Sequence, residues 1–379
     1  MKKQNRLILW AVVILLCCGI VLWVGRKSTR VHERPLGVAS KSPSIAPTPA
    51  PNQNAVVPIA ATNQGVVTTN AAASSPRKFV DIGILEQEAI MSEIRKQDLA
   101  SIFRMWIEAR HVDDDLMKQA SLGSALAYVM RERMPSPDLL EQIRAFIADS
   151  SNSINERAQL LAALGRAATK ESMDVLIQAA TTLSDKQMRQ AAFEQIRSAG
   201  AYAQRGDGAF HEELSPALEQ VWRESQDQGL LPSIAVAMAK VGAPSGIELL
   251  LSSALDGSPN DLRTQVAQRS LLQEVLNPHA VPTLSALLVN QPPTSAASRL
   301  ASGALANMVD AASAKALLNW LQSADAGAAP LAYDYVVRTR APAQLAAWES
   351  ALDPIMPFRS EKNREAIRAG LAEYHQDHR

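Results

Sequence analysis

The stretch ERAQLLAALGRAATKESMDVLIQAA, residues Glu156 to Ala180, predicts two short helices joined by a tight turn. Apolar residues recur at helical spacing in each half, so each helix carries one apolar stripe. The stripes consist of Leu160, Leu161, Leu164 and Ala168 in the first half, and of Val175, Leu176 and Ala179 in the second. Gly165 stands at the end of the first stripe, and Thr169 begins the next helix. Two such helices cannot bury both stripes alone, so neighbours of the same kind must cover them.

Similar junctions between helices recur along the chain at intervals of 30 to 42 residues, at Pro135, Gly165, Gly200, Gly242, Asn277, Val309 and Ala341. Small residues or Pro follow most of these junctions, and an aliphatic run at helical spacing comes next. The longest interval contains Ala201–Ala209 (AYAQRGDGA), a Gly-rich polar insertion. A repeat of this length predicts an all-α fold, an α-solenoid of stacked helix–turn–helix units.

The residues of one junction, Asn277 to Pro282 (NPHAVP), together with the aliphatic run after them, resemble the turn and second helix of HEAT-type repeats. The pairs Leu164-Gly165 and Val241-Gly242 resemble the ends of first helices in that family, and the resemblance covers about Leu116 to Leu352. Tetratricopeptide repeats have a similar period, but their Trp, Leu-Gly and Tyr positions do not recur here in register. The HEAT resemblance implies a curved superhelix that binds other proteins on its concave face, and it implies no single activity.

The amino-acid composition limits the fold class and the classes of partner and chemistry that can be expected. Hydrophobic residues make up 47% of the chain and aromatic residues only 4%, which favours closely packed helices over sheets. The net charge is +0 overall, but residues 79–379 contain 28 Lys and Arg against 37 Asp and Glu. This acidic balance excludes nucleic acid as the expected partner of the folded part. The only cysteines, Cys17 and Cys18, lie near the N-terminus, so the remainder has neither disulfides nor cysteine catalysis.

The first residues predict a membrane anchor. Residues 1–6 form a short basic tail, and residues 7–24 are 18 consecutive residues without a charge. At 1.5 Å per residue this run is near the lower limit for spanning a hydrocarbon core of about 30 Å. Trp10 and Trp23 stand near its two ends, where interfacial indoles are common. A cleaved signal peptide is the alternative, but the bulky residues 22–24 offer no small-residue cleavage site, which favours an uncleaved anchor.

Residues 25–78 predict a disordered linker rich in Pro, Ser and Ala. The part from Pro35 to Lys78 has seven prolines and no aromatic residue, so it cannot bury enough apolar area to fold. As a coil, these 44 residues would span roughly 35–40 Å. Positive charges flank the anchor almost equally on both sides, but a six-residue tail with three charges is a poor candidate for translocation. We therefore expect a cytoplasmic N-terminus in a bacterial inner membrane, and a helical-repeat domain, residues 79–379, in the periplasm.

Within that domain, residues Ile82 to Arg110 predict a single helix. The acidic run Asp113 to Asp115 predicts the start of the next helix, because negative side chains interact favourably with the positive N-terminal end of a helix dipole. Trp222, Trp320 and Trp348 lie on apolar stripes and are expected in the core. The insertion contains Arg205 and Asp207, within the sequence Arg-Gly-Asp-Gly, and insertions in solenoids often contact a ligand. Arg205 and Asp207 are therefore the predicted protein-binding residues.

Catalytic and metal-binding patterns are weak. His375 and His378 lie three residues apart beside Asp377, but a zinc site needs a third or fourth ligand. Glu-Ser pairs begin at Glu171, Glu224 and Glu349 and resemble the pair of helical lytic transglycosylases, although none is followed by the signature of that family. The sequence therefore predicts no catalytic, cofactor-binding or metal-binding residue, no cofactor, and a protein that is not an enzyme.

The resulting expectation is a membrane-anchored periplasmic scaffold or adaptor that binds other proteins within a bacterial envelope assembly. The partner is not specified by the sequence. The alternative is a periplasmic cell-wall enzyme such as a helical lytic transglycosylase.

The predicted topology can be tested with fusions to the C-terminus of the full-length chain. An alkaline phosphatase fusion should be active, because the C-terminal domain is expected in the periplasm. A fluorescent protein that matures only in the cytoplasm should stay dark at the same position. Strong fluorescence without phosphatase activity would reverse the orientation.

Overall fold

The structure is a computed structural model that describes residues 84–109, 116–204 and 209–378. Within these ranges the chain is entirely helical, which confirms the predicted all-α class. The α-helices are α1 Ile84–Arg95, α2 Leu99–Ala109, α3 Leu116–Glu132, α4 Pro137–Ala148, α5 Ile154–Ala167, α6 Lys170–Thr182, α7 Lys186–Gln204, α8 Ala209–Glu224, α9 Leu231–Val241, α10 Pro244–Asp256, α11 Leu262–Glu274, α12 Val281–Asn290, α13 Ala296–Asn307, α14 Ala311–Ser323, α15 Ala329–Val337, α16 Pro342–Ser350 and α17 Glu361–Asp377. Short 3₁₀ turns, Pro278–Ala280 and Ala326–Ala328, precede α12 and α15.

Helices from α3 onward alternate between two layers. The first layer contains α3, α5, α7, α9, α11, α13 and α15, and each helix from α3 to α13 packs against the next member of its layer. The second layer contains α4, α6, α8, α10, α12, α14 and α16, which also pack in sequence. The last helix, α17, lies against α15, and α1 and α2 cover α3. A continuous apolar core between the layers makes this fold a solenoid-like helical repeat.

The tryptophans predicted to be buried lie in this core. The exposed fraction is 0% for Trp222, 6% for Trp320 and 1% for Trp348. These large side chains anchor the second layer, since they belong to α8, α14 and α16.

The long helix predicted from Ile82 to Arg110 is wrong within the described residues, because α1 ends at Arg95 and α2 begins at Leu99. The side chain of Asp98 accepts hydrogen bonds from the backbone N–H and the hydroxyl of Ser101, both at 2.8 Å. An aspartate in this position satisfies amides at a helix start, so it divides a periodic apolar pattern into two helices.

The two junction glycines have different physical roles. Gly242 lies at the end of α9, as expected from the sequence, and ends it in the left-handed conformation with a φ of 69°. The expected helix end at Gly165 is wrong, because Gly165 lies inside α5 and Ala168, with a φ of 52°, ends that helix. Gly165 is needed for close approach instead: a Cβ there would lie 3.1 Å from the backbone oxygen of Gln195 in α7.

Gly200 is likewise no junction. It lies inside α7, where an added Cβ would be 2.8 Å from the backbone oxygen of Ala237 in α9. The predicted insertion Ala201–Ala209 is therefore partly helical, since α7 continues to Gln204 and α8 begins at Ala209. Because α7 continues past Gly200 into this segment, Gly200 lies within a helix and packs closely against α9.

Arginines near the start of first-layer helices join successive repeats. The Nε of Arg157 donates to the carbonyl of Ile147 at the end of α4 (2.7 Å), and its guanidinium lies 3.5 Å from Asp185. Arg189 repeats this arrangement one unit later, with the carbonyl of Ala180 at 3.0 Å and Asp227 at 2.9 Å. Each guanidinium thus satisfies carbonyls that a helix end leaves open and an acidic residue before the next first-layer helix.

Replacing Gly242 with Ala should lower the free energy of unfolding by at least about 1–2 kcal/mol, because a side chain is costly at positive φ. The new Cβ would also lie 2.7 Å from the Cβ of Asn277, whose amide holds the carbonyl of Val241. Gly123→Ala is the matched control, since its Cβ would meet nothing nearer than 3.6 Å. That change should be neutral or slightly stabilising, because Ala favours a helix interior.

Hydrogen exchange of the Gly242→Ala variant tests whether the repeats are independent. Amide exchange should quicken around residues 234–255 and remain slow around residues 158–180, because each repeat contacts mainly its neighbours. A uniform loss of protection over residues 116–352 would show one cooperative core and contradict the repeat account.

Candidate protein-binding surface

Charge is divided between the two layers. The first-layer helices contain eleven Lys and Arg residues against five Asp and Glu residues. Among the described side chains of the second-layer helices the balance is reversed, with four basic residues against ten acidic ones. The first-layer helices are thus richer in basic residues than the second-layer helices, although Arg157 and Arg189 of the first layer pair with aspartates in the connections.

Two arginines on α5 and α7 are held by neutral groups. The guanidinium of Arg166 donates to the carbonyl of Ala162 (3.3 Å) and to the hydroxyl of Ser124 (3.0 Å). Arg197 donates from Nε to the hydroxyl of Ser233 at 3.1 Å. Neither arginine has a carboxylate within ion-pair distance in the described part of the chain, so both positive charges remain uncompensated there.

A second pair of arginines lies on α11 and α13. Arg269 donates from Nε to the side-chain oxygen of Gln273 at 3.1 Å, and Arg299 is exposed. Across residues 84–109, 116–204 and 209–378, neither pairs with a carboxylate. Both arginines are exposed to solvent and therefore accessible to a partner.

Exposed aliphatic side chains lie beside the second pair. The exposed fraction is 40% for Leu272, 36% for Leu276 and 53% for Val309. Leu272 lies across Gly303 of α13, where an added Cβ would be 2.7 Å from the leucine Cδ2. The helices are also joined at their ends, because Asn307 donates to the carbonyl of Gln273 at 3.0 Å. We name the surface formed by Arg269, Leu272, Leu276, Arg299 and Val309 the α11–α13 patch.

Two of the neighbouring cations differ, because acidic residues pair with them. Lys240 on α9 lies 3.6 Å from Glu274, and Arg338 lies 2.8 Å from Asp334 of α15. Beyond the end of α13, the exposed Arg340 donates to the side-chain oxygen of Asn307 at 3.4 Å and has no carboxylate within ion-pair distance in the described residues.

A groove in the second layer is the other candidate surface. It lies between α4 and α6, has a volume of about 160 Å³, and has an aliphatic floor that includes Ile147, Val175 and Ala179. On its rim, Arg144 lies 3.4 Å from Glu141, so this cation is already paired with a carboxylate. The groove has room for a single side chain of a partner, and it lies on the acidic layer.

Glu219 of α8 belongs to a buried polar cluster that joins α8 to α10. Burial, the largest influence, acts to raise the pKa of this carboxyl, but hydrogen bonds lower the pKa below its ordinary value. The donors are Ser245 at 2.6 Å, Ser215 at 2.7 Å and Arg223 at 3.1 Å. The charged carboxylate is thus satisfied on both oxygens, which suits a structural link between helices.

The residues considered for chemistry from the sequence do not come together. Glu171, Glu224 and Glu349 lie on α6, α8 and α16, and none lines the groove. His375 lies 3.7 Å from Glu349, but no three metal-ligating side chains cluster within the described residues. The predicted binding residues Arg205 and Asp207 lie outside the described residues, as do the predicted tail, anchor and linker. No described helix is long and apolar enough to cross a membrane.

Comparison with known proteins finds similarity to solved structures. No family model matches the chain, and no curated protein matches it. Among solved structures, human deoxyhypusine hydroxylase in complex with glycerol is similar at 16% identity and a TM-score of 0.24, over 75% of this chain and 98% of that chain. An engineered protein is similar at 15% identity and a TM-score of 0.27, over 78% of this chain and 76% of that chain.

The prediction that this chain is not an enzyme is contradicted by the comparison, because one of the similar solved structures is an enzyme, human deoxyhypusine hydroxylase. The prediction rests on the lack of a recognised catalytic pattern in the sequence, which does not exclude catalysis. At a TM-score of 0.24 this likeness carries no argument about what the present chain does. A helical-repeat fold does not by itself exclude catalysis, and no particular reaction follows for this chain.

Replacing Glu219 with Gln should lower the free energy of unfolding at pH 7 by about 2 kcal/mol, because charge-assisted hydrogen bonds are lost. The folded-state pKa lies below the unfolded-state pKa, so the carboxylate contributes full stability above the unfolded value near 4 and loses it as the pH falls through the folded value. Urea unfolding curves of the two proteins should therefore converge in acid. Glu248→Gln, an exposed change on α10, is the control and should alter stability by less than about 0.5 kcal/mol.

Proposed function

We propose that this protein is a membrane-anchored scaffold that binds other proteins through the outer surface of a HEAT-like helical repeat. The observation that carries the proposal is the division of charge between the layers. Stability of the core does not require one outer face to be basic and the other acidic, since surface charge contributes little to folding. Such faces do select partners and set their orientation, because interfaces are electrostatically complementary.

The anchor and the linker give this scaffold its setting. The uncharged run of residues 7–24 would hold the chain in a bacterial inner membrane, and the linker of residues 25–78 would carry the repeat domain into the periplasm. A tether with a root-mean-square span of roughly 35–40 Å lets the domain sample partners near the membrane while it raises their effective concentration. An adaptor in an envelope assembly fits this combination.

Crosslinking in intact cells, followed by purification of tagged full-length protein in detergent, tests the proposal. One or a few envelope proteins should be recovered in stoichiometric amounts, and their recovery without crosslinker should fall as salt rises, because charged faces are screened. A chain without residues 1–78 that is exported to the periplasm should bind the same proteins more weakly, since the tether effect is lost.

Two results would contradict a scaffold. One is the absence of any stoichiometric protein partner in the crosslinked material. The other is release of muropeptides from peptidoglycan by the purified protein, with loss of release in a Glu171→Gln, Glu224→Gln or Glu349→Gln variant.

A further inference from the structure

We propose that the α11–α13 patch binds an acidic, aliphatic segment of a partner protein, with Arg269 and Arg299 receiving its carboxylates. This inference rests on the proposed scaffold function and adds the chemistry of the partner. Arginine is suited to the role because its planar guanidinium forms paired hydrogen bonds with a carboxylate. Both side chains are exposed, and neither forms an ion pair with a carboxylate within the described residues. Their positive charges are therefore available to another molecule.

The two arginines lie at matching positions on adjacent helices. Arg269 precedes Leu272 by three residues on α11, and Arg299 precedes Gly303 by four residues on α13. Because Leu272 lies against Gly303, the two guanidinium groups are at similar levels along their helices. The axes of packed helices are about 8–10 Å apart, so the two arginines start from positions at about that spacing, and their long side chains can reach carboxylates near it.

This separation specifies the partner. Two carboxylates about 10 Å apart lie on one face of a helix when they are about seven residues apart, because a helix rises 1.5 Å per residue. Residues three apart in an extended segment span a similar distance, but their side chains point to opposite faces. On the helix, an aliphatic side chain between the carboxylates can pack on Leu272, and one beyond them can reach Leu276 or Val309. Contacts of this kind, an apolar anchor with arginines beside it, are typical of binding hot spots.

A nucleic acid fits less well than an acidic protein. Duplex DNA carries one negative charge per about 1.7 Å of its axis and needs a dense basic surface. Here the cations without a carboxylate partner in the described residues are the two arginines of the α11–α13 patch and, at its edge, Arg340, and they stand beside three exposed aliphatic side chains. The neighbouring Lys240 is paired with Glu274. The α5–α7 pair, Arg166 and Arg197, extends the same basic layer on the far side of α9.

The test uses full-length protein in detergent and a fluorescein-labelled amphipathic helical peptide with glutamates seven residues apart and leucines on the same face between them. Fluorescence anisotropy should detect binding to the wild-type protein, and it should weaken as salt is added. The Arg269→Glu/Arg299→Glu variant should bind at least about tenfold more weakly, because attraction becomes repulsion at the centre of the site. Replacement of both residues by Lys should retain part of the affinity, since the charge remains and the paired hydrogen bonds are lost.

The matched control is Arg104→Glu/Arg368→Glu, which makes the same change in net charge at two exposed positions on α2 and α17. This variant should bind within about twofold of the wild type, because neither side chain belongs to the α11–α13 patch and exposed charges outside it are partly screened. Circular dichroism and thermal unfolding should show that both variants remain folded, since the altered side chains are exposed.

Several outcomes would overturn the inference. Failure of the peptide to bind at millimolar concentration would do so, as would equally tight binding of a peptide with Gln in place of every Glu. Equal losses of peptide affinity in the Arg269→Glu/Arg299→Glu and Arg104→Glu/Arg368→Glu variants would have the same consequence. Equally tight, Arg269-dependent binding of a single-stranded oligonucleotide would also do so, because it would identify a nucleic acid as the ligand. If envelope proteins co-purify equally well with the Arg269→Glu/Arg299→Glu variant, the scaffold function stands and this assignment of its partner fails.

Discussion

Backbone-to-backbone contact between successive first-layer helices is the constraint on which the other features depend. Gly165 and Gly200 bring α5, α7 and α9 so close that a methyl group at either position would meet the neighbouring main chain. Each first-layer helix is therefore covered on both flanks by its neighbours and from below by the second layer. Only a narrow outer stripe of each first-layer helix remains in contact with solvent. The charge and polarity of the first-layer face therefore depend on which side chains lie on that stripe in each repeat.

Arginines are frequent on the first-layer helices, and their environments divide them into two groups. The buried Arg157 and the half-buried Arg189 bind carbonyls at the ends of second-layer helices, so they join one repeat to the next. Arg269 and Arg299 face outward and have no carboxylate partner in the described residues, so they contribute little to folding. One residue type thus serves assembly of the repeat where it is buried and, in our proposal, recognition where it is exposed.

The fold could be predicted from the sequence largely because helical repeats depend on local periodicity. Aliphatic spacing and recurring junctions indicated the helix pairs, and Gly242 was recognised because a positive φ has a sequence signal. Gly165 was misjudged because close approach to Gln195 depends on a residue thirty positions away. The α11–α13 patch could not be predicted, because the net charge of a stretch of sequence combines residues of both layers and does not show which layer is basic. Recognition of Arg269 and Arg299 required knowing which side of each helix faces outward.

Site-specific photo-crosslinking in living cells tests most directly whether the first layer is the binding surface. A photoreactive amino acid would replace Leu272 of the α11–α13 patch in one strain, and Ala145 of the groove between α4 and α6 in another. Our account predicts a discrete crosslink to an acidic protein segment from position 272, and a much weaker one from position 145. A strong crosslink from position 145 with none from position 272 would contradict it, because binding would then occur on the acidic layer.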